Sequence, residues 1–136
     1  DEPIDATLER LAIEASTRAN LKLSCATGDA PELPPAVTEA LSRVAQEALA
    51  NVERHAAATT VLLLFDVQPD ALVLTISDDG RGLPPDAETR PGHYGLRGMR
   101  ERVESLGGTL TLSSNGRGTT VKARLPLGSG QWSVGQ

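Results

Sequence analysis

Apolar positions along the chain change period several times, and each change marks an element. Residues 4–18 carry Ile4, Leu8, Leu11 and Ala15 at spacings of four, three and four, the period of an amphipathic helix. In residues 20–26, Leu21, Leu23 and Cys25 alternate with polar neighbours, which predicts an edge strand. The turn-rich TGDAPELPP follows. Its Pro34 and Pro35 suit a helix start, because the amide hydrogens they lack would be unpaired there anyway. From 36 to 56 runs the longest periodic stretch. At about 100° per residue, Val37, Leu41, Val44, Ala48 and Val52 share one stripe, with Glu47, Asn51 and Arg54 on its polar flank.

The second half of the chain switches to period two. TTVLLLFDV (59–67) and ALVLTISD (71–78) predict an antiparallel hairpin, the first strand apolar enough to sit centrally. Helical spacing returns once, at Leu96, Met99, Val103 and Leu106, and Gly107-Gly108 is its expected stop. TLTLSS (109–114) and TTVKARLPL (119–127) then alternate around an Asn115-Gly116 turn. The sum is an α+β, two-layer sandwich: about three helices on one face of a mixed, mostly antiparallel five-stranded sheet. Residues 1–127 are expected to form one domain, and the Gly/Ser-rich residues 128–136 a flexible tail.

Composition narrows the classes. A chain of 136 residues is enough for one modest core. Phe65, Tyr94 and Trp132 are its only aromatic residues, so the core is aliphatic and a stacking platform for single-stranded nucleic acid is not expected. The formal charge of −5 also argues against a nucleic-acid partner held through counterion release. One cysteine, Cys25, excludes an internal disulfide, and with His55 and His93 it makes no zinc-ligand spacing. No apolar run approaches the roughly 18 residues of a membrane span. A cytoplasmic segment without membrane contact of its own is therefore expected, with room for an anchor elsewhere in the full-length protein.

Glycine clusters at 80, 82, 92, 95 and 98 raise the question of phosphate binding, yet there is no P-loop, no dinucleotide fingerprint and no H-R-D or D-F-G signature. Four other pieces are present. Glu47 and Asn51 lie one helical turn apart, a carboxylate and an amide oxygen suited to a hard cation such as Mg²⁺, and Arg54 extends that stripe toward a phosphate. Asp78-Asp79-Gly80-Arg81-Gly82 ends a strand in a carboxylate that accepts hydrogen bonds and donates none. It would select an amino group, and the glycines would let a flat ring approach. Gly92 to Met99 leads into a helix whose exposed amides favour phosphate. Gly116, Gly118 and Thr119 form the fourth piece. Read more plainly, Glu47 and Asn51 are solvated helix positions and Thr119 a strand residue. His55 projects onto the apolar stripe as an interior histidine, and His93 is a solvated loop side chain. Arg97, Arg100 and Arg102 make a basic helix face, of which only Arg97 is near the glycines.

In this order the four pieces resemble the ATP-binding catalytic domain of sensor histidine kinases, the Bergerat fold shared with DNA gyrase, mismatch-repair ATPases and a class of heat-shock chaperones. RVAQEALANVERHA, DDGRGL, YGLRGMRERV and GRGTTVKARLP look like the nitrate/nitrite-sensor subfamily, and the resemblance spans roughly residues 4–126. It implies ATP and Mg²⁺ as cofactors, with Asn51 as the magnesium ligand. Glu47 would orient magnesium-bound water and act as the catalytic carboxylate. Asp78 becomes the acceptor of the adenine amine, Gly80 and Gly82 the turn under the ring, and Thr119 the residue closing the pocket. Gly95, Leu96 and Gly98 match the glycine box against the triphosphate, with Arg97 beside them, and residues 83–94 the lid. Arg54 stands where lysine is common, which keeps the charge and changes its reach. The phosphoacceptor histidine is expected on dimerisation helices outside these 136 residues. The implied partners are that dimerisation domain, a response regulator and a second copy in a homodimer. Two alternatives share the signals: a serine-protein kinase of the anti-sigma-factor type, and a nucleotide-gated interaction module without transferase activity.

Overall fold

Residues 2–89 and 94–127 are described by the computed structural model. The glycine and histidine at 92 and 93 and the expected tail at 128–136 lie outside the described residues. In chain order the elements are α1 (Ile4–Ala19), β1 (Lys22–Thr27), α2 (Pro35–Asn51), a π-helical turn (Val52–Ala56), β2 (Thr60–Val67) and β3 (Ala71–Asp78). A 3₁₀ turn (Ala87–Thr89), α3 (Leu96–Ser105), β4 (Thr109–Asn115) and β5 (Gly118–Pro126) complete it. The strands form one sheet in the order β1-β2-β3-β5-β4. β1 runs parallel to β2, which requires the crossover that α2 supplies, and the other neighbours are antiparallel. The expected α+β sandwich, with a mixed and mostly antiparallel sheet and β1 at its edge, is what forms.

Burial follows the two periods. Leu8, Ala12 and Ala15 of α1, Val37, Leu41 and Val44 of α2, and Leu96, Met99 and Val103 of α3 are buried against one face of the sheet. That face is made by Leu63, Phe65, Leu72, Leu74, Ile76, Val121, Ala123 and Leu125. In α1 the innermost position in the second turn is Ala12, and Leu11 is only partly buried, so the stripe runs 4, 8, 12, 15. Its C-terminus is closed by Asn20 at φ 56°, while the Leu21 amide donates to Ser16 O at 2.8 Å. α3 stops at the glycine pair as its sequence predicts. Gly107 takes φ 79°, and Gly108 N–H donates back to Val103 O at 3.0 Å.

One departure matters for function. The sequence predicts one helix through residue 56, whereas α2 ends at Asn51 and opens into the wider π turn, closed by Ala57 at φ 51°. Such turns recur at functional sites. The phase of about 100° per residue that set Arg54 on the Glu47–Asn51 stripe does not carry past Asn51, and Arg54 is exposed.

Candidate functional site

Three polar residues lie in one row across the sheet. Asp78 at the end of β3 pairs with Thr119 at the start of β5, and Thr119 pairs with Ser114 of β4. Side chains two residues further along the same face are apolar, Ile76 paired with Val121. Asp78, Thr119, Ile76 and Val121 floor a slot roofed by Ala48 and Asn51 of α2 and Val52 of the π turn and flanked by Gly82 and Leu83. Polar row, apolar row and helical roof thus give an apolar space with hydrogen-bonding groups at one end. Close approach of the loops is enforced at Gly118 (φ 140°), where a Cβ would run into the Asp78 backbone.

Asp78 and Asp79 are neighbours in sequence with opposite surroundings. The Asp78 side chain is partly buried, and its Oδ1 accepts the Gly80 N–H at 2.8 Å. Burial pushes its carboxyl above the ordinary range; the Gly80 amide opposes this, the Asp79 charge adds to it, and the Thr119 amide opposes it. Asp79 is exposed and turns away from the slot. It accepts Thr59 Oγ1–H at 2.6 Å and the Thr59 and Thr60 amides at 2.8 and 2.9 Å, and these hold its carboxyl far below the ordinary range. Asp78 is therefore the one of the two that lines the slot, while Asp79 pins the end of β3 to the start of β2.

On the α2 side, Asn51 is buried, and its Nδ2 donates to Tyr94 O at 2.7 Å. Its Oδ1 is buried with no hydrogen-bond partner. An acceptor left unmatched in this way costs stability in the free protein and fits a donor or cation brought by a ligand. Glu47, one turn earlier, lies against Gly95: a Cβ there would sit 2.5 Å from Glu47 Oε2, and Gly95 adopts φ 68°. Two protein oxygens are too few for a calcium-type cage and suit Mg²⁺, which keeps waters and takes phosphate oxygens. Among the described residues no cluster of three or more His, Cys, Asp or Glu side chains offers an alternative metal site.

Gly95 is the N-cap of α3, and no side chain caps that terminus. The Leu96 side chain is buried in the core, so what Leu96 can offer a ligand is its backbone amide. Gly98 has open space where a side chain would be, and Gly80 is buried beside the slot. Arg97 is 80% exposed, with only a 3.9 Å approach to Glu101. The structure thus brings Asn51, Asp78, Gly82 and Thr119 to the slot and Glu47 beside Gly95, and leaves Arg54 and Arg97 in solvent.

Several contributors were not legible from spacing. Ser114 Oγ accepts the Leu83 N–H at 2.7 Å and lies 3.0 Å from Thr119 Oγ1. Arg81 Nε donates to His55 O at 2.7 Å, and the partly buried His55 ring meets Tyr94 edge to face at 4.8 Å. Arg100 is more than part of a basic face. It grips Glu88 of the 3₁₀ turn through Nε (2.6 Å) and Nη2 (2.9 Å), and Nη1 donates to Leu110 O at 2.8 Å. The charge of Arg100 was visible in the sequence; its partner twelve residues earlier, across a glycine-rich loop, was not.

Residues 36–129 match the family described as histidine kinase-, DNA gyrase B-, and HSP90-like ATPase. The chain is 50% identical over 86 residues to the signal transduction histidine-protein kinase/phosphatase UhpB of Salmonella typhimurium, covering 63% of this chain and 17% of that protein. It is 34% identical over 123 residues to the sensor histidine kinase NarS of Mycobacterium tuberculosis, covering 88% and 28%. Among solved structures, the histidine kinase domain of the blue-light activated histidine kinase from Erythrobacter litoralis EL346 superposes with a TM-score of 0.73. Identity is 29%, over 91% of this chain and 65% of that one. The chain spans well under half the length of these curated relatives. Among the described residues no helix is long and apolar enough to cross a membrane.

Proposed function

Because the chain belongs to the histidine kinase-, DNA gyrase B- and HSP90-like ATPase family, we propose that it is the ATP-binding catalytic domain of a sensor histidine kinase. In this reading it transfers the γ-phosphoryl group of ATP to a histidine on a dimerisation domain of the same protein, for relay to a response regulator. The observation that carries the reading is the pairing of a partly buried Asp78 carboxylate in an apolar slot with a buried, unmatched Asn51 Oδ1 in its roof. An apolar slot with an acceptor at one end suits a purine bearing an exocyclic amine.

Asp78 accepts a hydrogen bond from that amine, and the Gly80 N–H fixes the carboxylate. Ile76, Val121 and Ala48 cover the ring faces and exclude water. Asn51, its amide nitrogen held by Tyr94 O, would offer Oδ1 to Mg²⁺, and Glu47 would hold a water bound to the ion. When bound, Mg²⁺ supplies positive charge to the phosphate oxygens. The amides at the start of α3, which no side chain caps, would offer donors to the phosphates. Phosphoryl transfer asks little covalent chemistry of a protein, so positioning and charge neutralisation are the work these residues perform.

Calorimetry with a nonhydrolysable ATP analogue should give binding that strengthens with Mg²⁺. Asp78→Ala should remove a charge-assisted hydrogen bond of about 1.5–3 kcal/mol, roughly a 10- to 150-fold loss of affinity. Unchanged binding by Asp78→Ala would refute the slot. Transfer is tested by label from γ-labelled ATP in the full-length protein. A full-length protein that binds ATP yet labels neither itself nor a partner refutes the transferase reading.

A further inference from the structure

Base recognition in this slot needs more than Asp78. Thr119 is its cross-strand neighbour, its backbone lying within the ladders that β5 makes with β3 and β4. What Thr119 has left for a ligand is its hydroxyl, which carries one proton. The neighbouring Ser114 Oγ lies 3.0 Å away, close enough to take that proton or to supply its own. Ser114 also accepts the Leu83 N–H at 2.7 Å, and Leu83 is a wall of the slot.

We propose that Ser114 is a positioning residue for adenine: it donates to Thr119 Oγ1, which turns the Thr119 proton into the slot toward the ring nitrogen beside the exocyclic amine. The inference rests on the slot being the purine site proposed above. Proton accounting supports the direction. A threonine hydroxyl that donates to a ring nitrogen can accept from Ser114 and cannot also donate to it. Ser114 in turn accepts the Leu83 N–H and donates its own hydrogen, so both roles of its oxygen are filled. The slot then presents an acceptor, Asp78, beside a donor, Thr119. That pair complements the amine and ring nitrogen of adenine and mismatches the carbonyl and ring N–H of guanine.

The test is calorimetry on the whole chain with two probes, a nonhydrolysable ATP analogue and its 1-deaza counterpart, in which the ring nitrogen is replaced by C–H. Ser114→Ala should weaken the first by about tenfold and leave the second within about twofold of wild type. Ser114→Thr, which keeps the hydroxyl, should restore the first, and the preference for ATP over GTP should fall in Ser114→Ala alone. Equal loss for both probes makes Ser114 merely structural and overturns the proposal, as does no loss for either. Asp78→Ala run in parallel separates the two readings. If it loses affinity while Ser114→Ala does not, only this inference fails; if it binds normally, the purine slot fails with it.

Discussion

At the scale of residues, Asp78 and Asp79 show how surroundings divide one residue type into two tasks. Asp78 has its folded pKa raised by burial, so the native state binds its proton more tightly than the unfolded chain does. Stability therefore falls as pH rises from the unfolded value of about 3.9 through the raised folded value. At neutral pH the ionised Asp78 is a cost retained for the ligand. Asp78→Asn, close in shape, should weaken ATP binding about 10- to 150-fold. The same variant should raise the melting temperature of the nucleotide-free domain at pH 7, by an amount that shrinks toward pH 4; a lower melting temperature at pH 7 would contradict the assigned burial cost. Asp79 has the opposite sign. Its pKa is lowered by Thr59 and Thr60, so its stabilisation is present above the unfolded value and fades as acid protonates it. The strand-end carboxylate was legible in D-x-G-x-G. Asp79's role was not, because Thr59 and Thr60 lie about twenty residues earlier and meet it only when β2 and β3 pair.

At the scale of elements, the helices and strands were readable because each keeps one period throughout, and misreading arose where the period changes within an element. The π turn after Asn51 is such a place. Extrapolated helical phase grouped Arg54 with Glu47 and Asn51, yet Arg54 lies in the π turn and is exposed, while Asn51 lines the slot. The loop between β3 and α3 has no period to read, and its attachments are side-chain pairs. Arg100 ties the 3₁₀ turn at 87–89 to α3 and β4 through a two-pronged ion pair and a carbonyl, with its side chain 30% exposed against 80% for Arg97. A guanidinium spanning both carboxylate oxygens cannot be replaced by a single ammonium. Arg100→Ala should speed amide exchange at residues 87–89 by about tenfold while leaving the central strands unchanged, and Arg100→Lys should recover little of the protection. Full recovery by lysine would mean that charge alone, without the fork, holds the turn.

At the scale of the whole molecule, the site exists only where two layers meet. Asn51 comes from a helix, Asp78 and Thr119 from adjacent strands, and Leu83 from a loop. Sequence order separates them by up to 68 positions (119 − 51). Their convergence was legible through resemblance to a family; spacing alone could place Glu47 with Asn51 and nothing else. Packing holds the layers in register, and the slot inherits that register. Leu74, fully buried in the central strand β3, belongs to this packing and does not itself line the slot. Leu74→Ala should cost about 2–5 kcal/mol in unfolding free energy by leaving a cavity, while the folded fraction keeps its affinity for nucleotide. Ligand binding acts on the same equilibrium from the other side. Nucleotide at about 100 times its Kd adds about 2.7 kcal/mol to the folded state, so it should recover much of what Leu74→Ala loses. Asp78→Ala, tested at the same nucleotide concentration, should gain far less, because its Kd has risen while its core is intact. Denaturant unfolding of the two variants with and without nucleotide separates a fold that is weakened from a site that is lost. An equal nucleotide increment in both would mean that Asp78 does not contribute to the binding the increment reports.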